Sequence, residues 1–527
     1  MDASIKSERA EGKTVLMKFS ILIVLLIFYA MPLASAPTEI VKPYGSEFAL
    51  EGKAFRFLGV NIRGICHYGK GDILPFTTAG HIDENLDDAA EMGAKVIRLF
   101  APVKFAEHQE NVNRLKNVLD KMESRKLKAI VCLTDFYNSG FCPKGDEAYY
   151  LPQTGGWTVL DDTWFKSGYK INYLPYAELA VSQLKEHNAI FAWEMGNEMT
   201  DLKDPQAIIP FAADVAARIK AIDPHHMVTT GFISVDHTQI GETKGYQLYA
   251  DANIDFITAH CYNGEDIYHA NNRAVHSRLG KPLILEEYGW SAAHGDRASN
   301  TQAQVVKWFD QRAARAFMAW GYQAQSYDIG DGDNDVGMDG YHHPDYAQLR
   351  AIYSGKAAEI ANNPIALPAR LLPEGANVAR LSAGWKADSV YGAQWGGANV
   401  YDGVISGTSK WCSLGGAPPH WLAIDLGRER FVNGIVFRFA GAGMELVDYN
   451  FKSFQVQTGA TLDGPWTTDF AVSNPAQFSF WRCLYDAPKT FRCLRIYITD
   501  SGIDNYCRLA EIEVYEKRAV AAYWVIY

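Results

Sequence analysis

The sequence lacks the clustered positive charge that nucleic-acid binding requires. It contains 50 lysine and arginine residues against 61 aspartate and glutamate residues, and its formal net charge is −11. Proteins that hold phosphate backbones concentrate basic residues on one surface. The composition therefore excludes nucleic acid as the expected partner, while 48% hydrophobic and 21% charged residues are typical of a soluble globular protein.

Long apolar runs are also scarce. The longest covers residues 19–30 (FSILIVLLIFYA), follows two lysines and precedes a small-residue stretch that ends at Ala36. A membrane span needs about 20 apolar residues. We therefore predict a signal peptide over residues 1–36 and a secreted, extracellular protein, with a retained N-terminal anchor as the alternative. No stable membrane insertion is expected elsewhere, and residues 517–527 are predicted to be a short tail.

Metal-binding spacings of cysteine and histidine are absent. The eight cysteines form no CxxC pair, which argues against zinc. Export would permit disulfides, but spacing alone does not fix their connectivity. Cys483 and Cys493 flank a predicted hairpin and are the first candidates for a pair. Cys132 and Cys261 lie in apolar runs and are expected to be buried free thiols.

No glycine-rich phosphate turn follows the first predicted strand, which argues against a doubly wound nucleotide-binding sheet. Short apolar strands alternate with amphipathic helices from about residue 47 to 365, and the last strand is placed at GYQAQSY. Eight such units predict an α/β fold, a (β/α)8 TIM barrel. A proline-containing stretch follows, and beyond it short β-type runs predict an all-β sandwich or jelly roll. The predicted boundaries are 37–365 for the barrel, 366–374 for a linker and 375–516 for the sandwich.

Ionisable residues gather at the predicted strand ends, where barrel enzymes carry their active sites. Strand two ends with Arg98, strand four with Asn197 and Glu198, strand six with His260 and Tyr262, and strand seven with Glu286 and Glu287. Two carboxylates that face one pocket are what glycoside hydrolysis requires, because one protonates the leaving oxygen and the other attacks the anomeric carbon. These strand ends predict a glycosidase.

At these residues the sequence resembles the family 5 glycoside hydrolases, whose two glutamates follow strands four and seven. WEMGNEM matches the family's acid/base motif and LEEYGW its nucleophile motif. The resemblance implies that Glu198 is the acid/base and Glu287 the nucleophile. It further implies that Arg98, Asn197, His260 and Tyr262 bind the substrate or orient the catalytic groups, although His260 could also be a packed barrel histidine.

The two glutamates are expected to have opposite pKa shifts. Arg98 should lower the pKa of Glu287, and Tyr262 should donate a hydrogen bond to it. The negative charge of Glu287 should raise the pKa of Glu198, which must begin protonated. Glu286 should point the opposite way from its neighbour on a regular strand and is interpreted as structural.

Two features of the barrel depart from the family pattern. The family ends strand eight with a tryptophan, whereas YQAQSYDIG offers Tyr327 or Gln325 in its place, unless Trp320 or Trp290 fills the position. Strand three ends LTDFYN and is followed by a long insertion, which looks more like the mannanase-type members. Trp157 in that insertion, with Trp164 and Tyr150, is a candidate for stacking on sugar or for pinning the loop.

Residues of about 375–516 resemble discoidin domains, including family 32 carbohydrate-binding modules, through VYDGVISGTSKWCS, HWLAIDLG and FRCLRIYITD. The resemblance implies glycan-binding loops and a structural calcium, for which Asp402 and Glu511 are the candidate ligands. No cofactor is expected for catalysis. Tethering by the linker should raise the local concentration of substrate at the barrel.

Together these features predict a secreted, retaining endo-β-1,4-glycanase that acts as a monomer on a polysaccharide, with mannan or glucomannan slightly ahead of β-glucan. An exo-acting β-glycosidase is the alternative within the same class. A secreted glycan-binding adhesin with an inactive barrel is the alternative from another class, because fold alone does not establish activity.

Overall fold

The computed structural model describes residues 39–67, 79–152, 156–264, 268–323, 335–340 and 343–517. The predicted signal peptide, Tyr327 and residues 518–527 of the predicted tail lie outside these ranges. Within them, no helix is both long enough and apolar enough to cross a membrane.

The first domain is built on eight parallel strands that form a nearly closed barrel. The strands are β1 (Phe57–Asn61), β2 (Val96–Phe100), β3 (Lys128–Cys132), β4 (Ile190–Glu194), β5 (Met227–Thr229), β6 (Ile257–Tyr262), β7 (Leu283–Gly289) and β8 (Ala316–Ala319). Consecutive strands pair in parallel from β1 to β5 and from β6 to β8, and β8 pairs with β1. Between β5 and β6, the Asp255 amide donates to the Val228 carbonyl at 2.8 Å, and the His260 amide to the Ile233 carbonyl at 3.1 Å. The predicted barrel is confirmed.

Nine α-helices of the described residues surround or follow the strands. They are α1 (Ala79–Met92), α2 (His108–Ser124), α3 (Asp162–Lys166), α4 (Tyr173–Leu184), α5 (Ile208–Ile222), α6 (Gly241–Ala250), α7 (Ala270–Leu279), α8 (Arg297–Val306) and α9 (Tyr346–Asn362). A π turn, Lys307–Gln311, extends α8, and a two-stranded hairpin (Tyr150–Pro152 and Thr158–Leu160) follows β3.

A small antiparallel sheet closes the N-terminal end of the barrel. Its strands are Lys42–Tyr44, Glu47–Leu50 and Lys53–Ala54. Phe48 on the middle strand is fully buried, and its ring centroid lies 5.1 Å from that of Phe191 and 5.4 Å from that of Phe256. Burying such a side chain contributes about 1.5–3 kcal/mol. Apolar packing thus fills this end, and the polar residues gather at the other.

The prediction for the eighth strand was wrong. The strand is Ala316–Ala319 (AFMA), and Trp320 follows it directly. All four strand residues are buried, as a parallel strand covered on both faces requires. The GYQAQSY segment carries two glutamines and begins beyond the strand, so it fits that environment less well. The shift places Trp320 directly after the end of β8.

The second domain is an antiparallel β-structure. Its strands are β9 (Ala376–Asn377), β10 (Gly384–Ala387), β11 (Trp411–Cys412), β12 (His420–Phe439), β13 (Ser453–Gly459), β14 (Trp466–Ser473), β15 (Phe480–Asp500) and β16 (Arg508–Glu516). The main order is β9-β16-β12-β15-β13-β14, with β10 on β12 and β11 on β16. Alternate residues of β12, β13 and β15 enter one apolar core. The all-β prediction is confirmed.

The predicted Cys483–Cys493 disulfide is contradicted. Both cysteines lie on the same long strand, β15, instead of flanking a hairpin. They lie ten positions apart along this strand and pair with different residues of β12, Asp425 and Ile435, so their Cα atoms are farther apart than the roughly 7 Å that a disulfide can span. All eight cysteines fall within the described residues, and each is a buried free thiol.

The sandwich packs directly against helix α7 of the barrel. The Ser277 hydroxyl donates to the Gln477 carbonyl at 2.8 Å and lies 2.7 Å from the Ser479 hydroxyl. The Ser479 amide donates to the Ser277 carbonyl at 2.9 Å, and the Asn450 amide group joins the same network. Arg278 adds bonds to two backbone carbonyls of the sandwich. This buried network shows that direct packing, in addition to the connecting segment, holds the sandwich against the barrel.

Candidate active site

Arg98 forms the centre of the polar cluster at the C-terminal end of the barrel. Its side chain is fully buried and binds Glu194 through two hydrogen bonds, of 2.7 and 2.8 Å. The same guanidinium donates to Asn197 Oδ1 at 2.8 Å and to Glu287 Oε1. Burial disfavours the charged form of Glu194, but Arg98 outweighs it and lowers the pKa of that carboxyl. The arginine therefore fixes residues of strands β4 and β7 in one arrangement.

Asn197 and Glu198 occupy a strained turn directly after β4. Glu198 has a φ of +52°, which is unusual for a residue other than glycine. Its amide donates to the Gly231 carbonyl at 2.8 Å. A Cβ at position 231 would lie 2.4 Å from Glu194 Oε1, so only glycine fits beside the turn. Strain of this kind persists where the surroundings impose it, often at functional sites.

The two candidate catalytic carboxylates face each other. One oxygen of Glu198, one of Glu287 and a ring nitrogen of His260 all lie within 4.8 Å of one another. His260 Nδ1 pairs with Glu198 Oε1 at 2.7 Å and lies 3.4 Å from Glu287 Oε2. The Tyr262 hydroxyl donates to Glu287 Oε2. Atoms this close could ligate a metal ion, but hydrogen bonds already link them to one another.

Both glutamates of strand β7 point into the barrel, contrary to the expectation for Glu286. The register of β7 shifts against β6 and against β8 at this point, which marks a β-bulge. Ala259 is opposite Leu285, whereas His260 is opposite Glu287, so Glu286 is the extra residue. A bulge interrupts the alternation of side chains and is common beside active sites.

The pKa directions of the two facing glutamates are the reverse of those expected. Burial disfavours the ionised form of Glu198, yet a hydrogen bond and positive charge from His260 outweigh it and lower its pKa. Burial raises the pKa of Glu287, and Glu198 adds to the effect, although His260 and Arg98 oppose it. Burial lowers the pKa of His260 less than the surrounding carboxylates raise it, to about 10. The expectation was wrong because it omitted the charge on His260.

Several residues of the cluster were missed by the sequence reasoning. Tyr137 hydrogen-bonds to Glu198, and Asp135 accepts a hydrogen bond from Asn197 Nδ2 at 2.9 Å. Burial raises the pKa of Asp135 to about 6, although Ser139 and Asn197 donate to it. Both Asp135 and Tyr137 belong to the LTDFYN end of strand three, a polar strand end that could have signalled them. Glu194, a charge inside an apolar strand, was a second such signal.

Aromatic side chains surround the cluster unequally. Trp320 lies 6.4 Å from Tyr262 between ring centroids. Trp157 is 65% exposed, with its ring centroid 5.3 Å from that of Tyr137. Trp164 and Tyr150 are buried and pin the insertion instead of forming a surface for sugar. Trp320 and Trp157 are therefore the described aromatic candidates for stacking.

The candidate calcium ligands lie together in the second domain. Asp402 accepts hydrogen bonds from the Val404 amide at 2.7 Å and the Ser409 hydroxyl at 2.5 Å, and Glu511 accepts one from the Gly403 amide at 3.1 Å. Glu511 Oε2 is buried and has no hydrogen-bond partner. Burial, with the Asp402 charge beside it, raises the pKa of Glu511 to about 8. An unpaired buried carboxylate oxygen of this kind fits a hard cation.

Comparison with known proteins distinguishes the two domains. A family model described as GH family 5 beta-mannosidase-like matches residues 175–274, which contain both Glu198 and His260, and a model of the F5/8 type C domain matches residues 385–512. The chain is therefore similar to family 5 beta-mannosidase-like proteins in the barrel and to the F5/8 type C domain in the sandwich. This confirms the resemblance and the fold class stated from the sequence.

Named relatives are similar over the barrel. The chain is 28% identical over 282 residues to a probable mannan endo-1,4-beta-mannosidase F of Emericella nidulans, covering 45% of this chain and 64% of that protein. It is 26% identical over 358 residues to a mannan endo-1,4-beta-mannosidase F of Aspergillus fumigatus, covering 58% and 75%. The first of these alignments spans slightly less than two thirds of the relative's length.

A solved structure also matches. The endo-1,4-beta-mannanase of Rhizomucor miehei is 19% identical, with a TM-score of 0.49, and the match covers 61% of this chain and 99% of that one.

Proposed function

We propose that the protein is a retaining glycoside hydrolase, an endo-β-1,4-mannanase that cleaves mannan or glucomannan by double displacement. The proposal rests on the separation of the Glu198 and Glu287 oxygens, which lie within 4.8 Å of each other. Retaining glycosidases hold their carboxyl groups about 5–5.5 Å apart, whereas inverting enzymes need about 6.5–9.5 Å to admit a water molecule. This spacing favours a covalent intermediate.

In the first step, Glu287 attacks the anomeric carbon as the bond to the leaving oxygen breaks. Glu198 donates a proton to that oxygen, so the leaving sugar departs as an alcohol. Because the pKa of Glu198 is lowered and that of Glu287 raised in the free site, this step requires that the proton shared by the cluster lies on Glu198 when the substrate is bound. Arg98 and Tyr262 hold the Glu287 oxygens in position for attack. Asn197, fixed by Arg98 and Asp135, is placed to contact the substrate 2-hydroxyl.

In the second step, Glu198 acts as a base and removes a proton from water. The resulting hydroxide attacks the anomeric carbon, the ester bond to Glu287 breaks, and the carboxylate is restored. The negative charge of Glu287 is absent from the covalent intermediate. Without that charge nearby, the ionised form of Glu198 is more favourable at this stage. The arrangement thus supports both roles of one carboxyl group.

The preference for mannan follows from the relatives, which are named as mannan endo-1,4-beta-mannosidases. We further propose that the protein is secreted, since residues 19–30 have the pattern of a signal peptide. The sandwich is proposed to bind glycan through its loops, close to the barrel against which it packs. An exo-acting enzyme and a non-catalytic glycan-binding protein remain the alternatives that the following experiment distinguishes.

Hydrolysis of a polysaccharide panel tests this function. With β-1,4-mannan, glucomannan, carboxymethyl-cellulose and xylan, we expect release of mixed oligosaccharides from the first two. NMR of the first product should show the β anomer, because two inversions restore the configuration. Release of monosaccharide alone would indicate exo action, a first α product an inverting mechanism, and binding without cleavage an adhesin.

We also propose a structural calcium at Asp402 and Glu511. Calcium should raise the Tm of the full chain by about 2–4 °C per kcal/mol of binding energy, because it binds only the folded domain. Differential scanning calorimetry with calcium and with a chelator measures the effect. Asp402→Asn should abolish it, whereas Asp463→Asn, at an exposed acidic residue of the same domain, should retain it. An equal Tm with and without calcium would contradict the site.

A further inference from the structure

Glu286 is a buried ionisable residue that takes no part in the two proposed steps of hydrolysis. Its side chain is fully buried inside the barrel, next to the attacking Glu287. The β-bulge in β7 turns it inward, so its position results from a local break in the strand. An ionisable group at this depth is costly unless it interacts with other charges.

The contacts of Glu286 are directed at His260. Glu286 Oε2 lies 3.3 Å from His260 Nε2, and Glu286 Oε1 is buried without a hydrogen-bond partner. The other ring nitrogen of His260, Nδ1, pairs with Glu198 at 2.7 Å. The imidazole therefore lies between two carboxyl groups, with one nitrogen facing each.

We propose that Glu286 is a positioning residue that keeps both ring nitrogens of His260 protonated, so that Nδ1 always donates to Glu198. The inference deepens the proposed hydrolase function and rests on it for its catalytic meaning. The protonation of His260 itself can be measured without any substrate.

The tautomers of histidine explain why this matters. A neutral imidazole carries one proton, and if Nε2 holds it, Nδ1 becomes an acceptor. Nδ1 would then no longer donate to the ionised Glu198, and its lone pair would repel that carboxylate. A charged imidazole has no free lone pair on nitrogen, so Nδ1 can only donate, and it favours the ionised Glu198 that acts as the base of the second step.

The other charges around the pair are consistent with this role. Arg98 Nε lies 3.8 Å from Glu286 Oε2, and Arg98 is already bound by Glu194. Tyr249 on α6 also faces Glu286, and His237 lies near Glu198 and His260. Burial lowers the pKa of His237, so it contributes little positive charge near neutral pH. The carboxyl groups are therefore what keeps His260 charged.

The effect of Glu286 has a defined pH range. Burial, with the Glu194 charge, raises the pKa of Glu286 to about 7, and the pKa of His260 is raised to about 10. At pH 5 the acidity of the solution suffices to protonate His260. At pH 8 Glu286 is largely ionised, and its charge then helps to hold the proton on the ring. The contribution of Glu286 should therefore grow as the pH rises through 7.

NMR of the full chain with ¹⁵N-labelled histidine provides a direct test. Both ring nitrogens of His260, assigned by comparison with His260→Asn, should remain protonated at pH 8 in the unaltered protein. In Glu286→Gln, which keeps the size but removes the charge, the ring should deprotonate about two pH units lower or more, so that much of it is neutral at pH 8. A neutral His260 at pH 7 in the unaltered protein, or an unchanged titration in the variant, would overturn the proposal.

Kinetics provide the second readout. The loss of kcat in Glu286→Gln should be about twofold or more larger at pH 8 than at pH 5 on mannan. It should be similar on an aryl mannoside, whose leaving group needs no acid, because the second step still uses Glu198 as the base. Glu91→Gln, at an exposed residue of α1, is the matched control and should show no such pH dependence. An equal loss at pH 5 and at pH 8 would show a merely structural role and refute the inference.

A second variant keeps the test valid if Glu286→Gln does not fold. Glu286→Asp keeps the carboxylate, and its His260 should stay protonated at pH 8, whereas deprotonation as in Glu286→Gln would count against the charge effect. If no tested glycan is cleaved but the His260 titration shifts as expected, the proposed function fails while the role of Glu286 stands. If glycans are cleaved and the His260 titration is unchanged in Glu286→Gln, the proposed function stands and the role of Glu286 fails.

Discussion

Replacing Glu287 by alanine is expected to lower kcat on mannan by roughly 10⁴-fold or more, because the attacking carboxylate is lost. Azide should restore cleavage of an activated aryl β-mannoside, since the small anion fits the space left by the side chain. It would attack from the face that Glu287 occupies, in a single displacement. The product should be the α-mannosyl azide, and NMR of the product identifies the anomer.

Glu91→Gln serves as the control for this variant because Glu91 is an exposed residue of the same domain and pairs with Arg350 on the surface. Its kcat should match that of the unaltered protein. Mass spectrometry of the protein after reaction with a slow fluorinated mannoside should place the covalent label on the peptide that contains Glu287. A label elsewhere, or substantial residual turnover in Glu287→Ala, would exclude Glu287 as the nucleophile.

The corresponding change at Glu198 should behave differently. Glu198→Ala is expected to reduce kcat on mannan by roughly 10²–10⁴-fold, the contribution of a general acid, and to retain much of the first step on an aryl mannoside with a good leaving group. Azide should then attack the covalent intermediate and yield the β-mannosyl azide. The anomers formed by the two variants are thus opposite, and finding them exchanged would exchange the assignments of Glu198 and Glu287.

The sequence predicted the arrangement of the barrel and of its catalytic groups because the relevant signals are local. Buried parallel strands are apolar throughout, so a polar strand end such as GNEM after β4 stands out. The barrel then brings such ends together at one rim. Arg98, Asn197, Glu198, His260, Tyr262 and Glu287 are accordingly found in one cluster.

What the sequence did not predict depends on interruptions of regular structure. Alternation along a strand places Glu286 on the outside, but a bulge in β7 turns both glutamates inward, and nothing in LEEYG marks it. The eighth strand was misplaced because GYQAQSY resembles a strand by its spacing. The run that forms it, AFMA, is only four residues long. Short strands and bulges carry weak sequence signals.

The pKa directions were missed for a different reason. They depend on the sum of burial and several charges, and the charge on His260 is itself set by three carboxylates. A rule that considers only the pair of Glu198 and Glu287 leaves out the charge of His260. Tyr137 and Asp135 likewise act across space, from a loop whose course depends on the insertion after β3.

The contact between α7 and the sandwich limits how the two domains can be studied apart. Deleting residues 375–527 would uncover Ser277 and Arg278, whose partners lie in the sandwich. It would also remove Phe480, which packs closely over Gly280 at the end of α7. In a shortened protein this face of α7 would be exposed to solvent. A change in its rate of hydrolysis could then result from the loss of glycan binding by the sandwich or from a structural change in the barrel. Single substitutions on the side of the sandwich that faces away from α7 separate the two effects. A different binding domain fused to this barrel would need a surface complementary to α7 in order to pack against it.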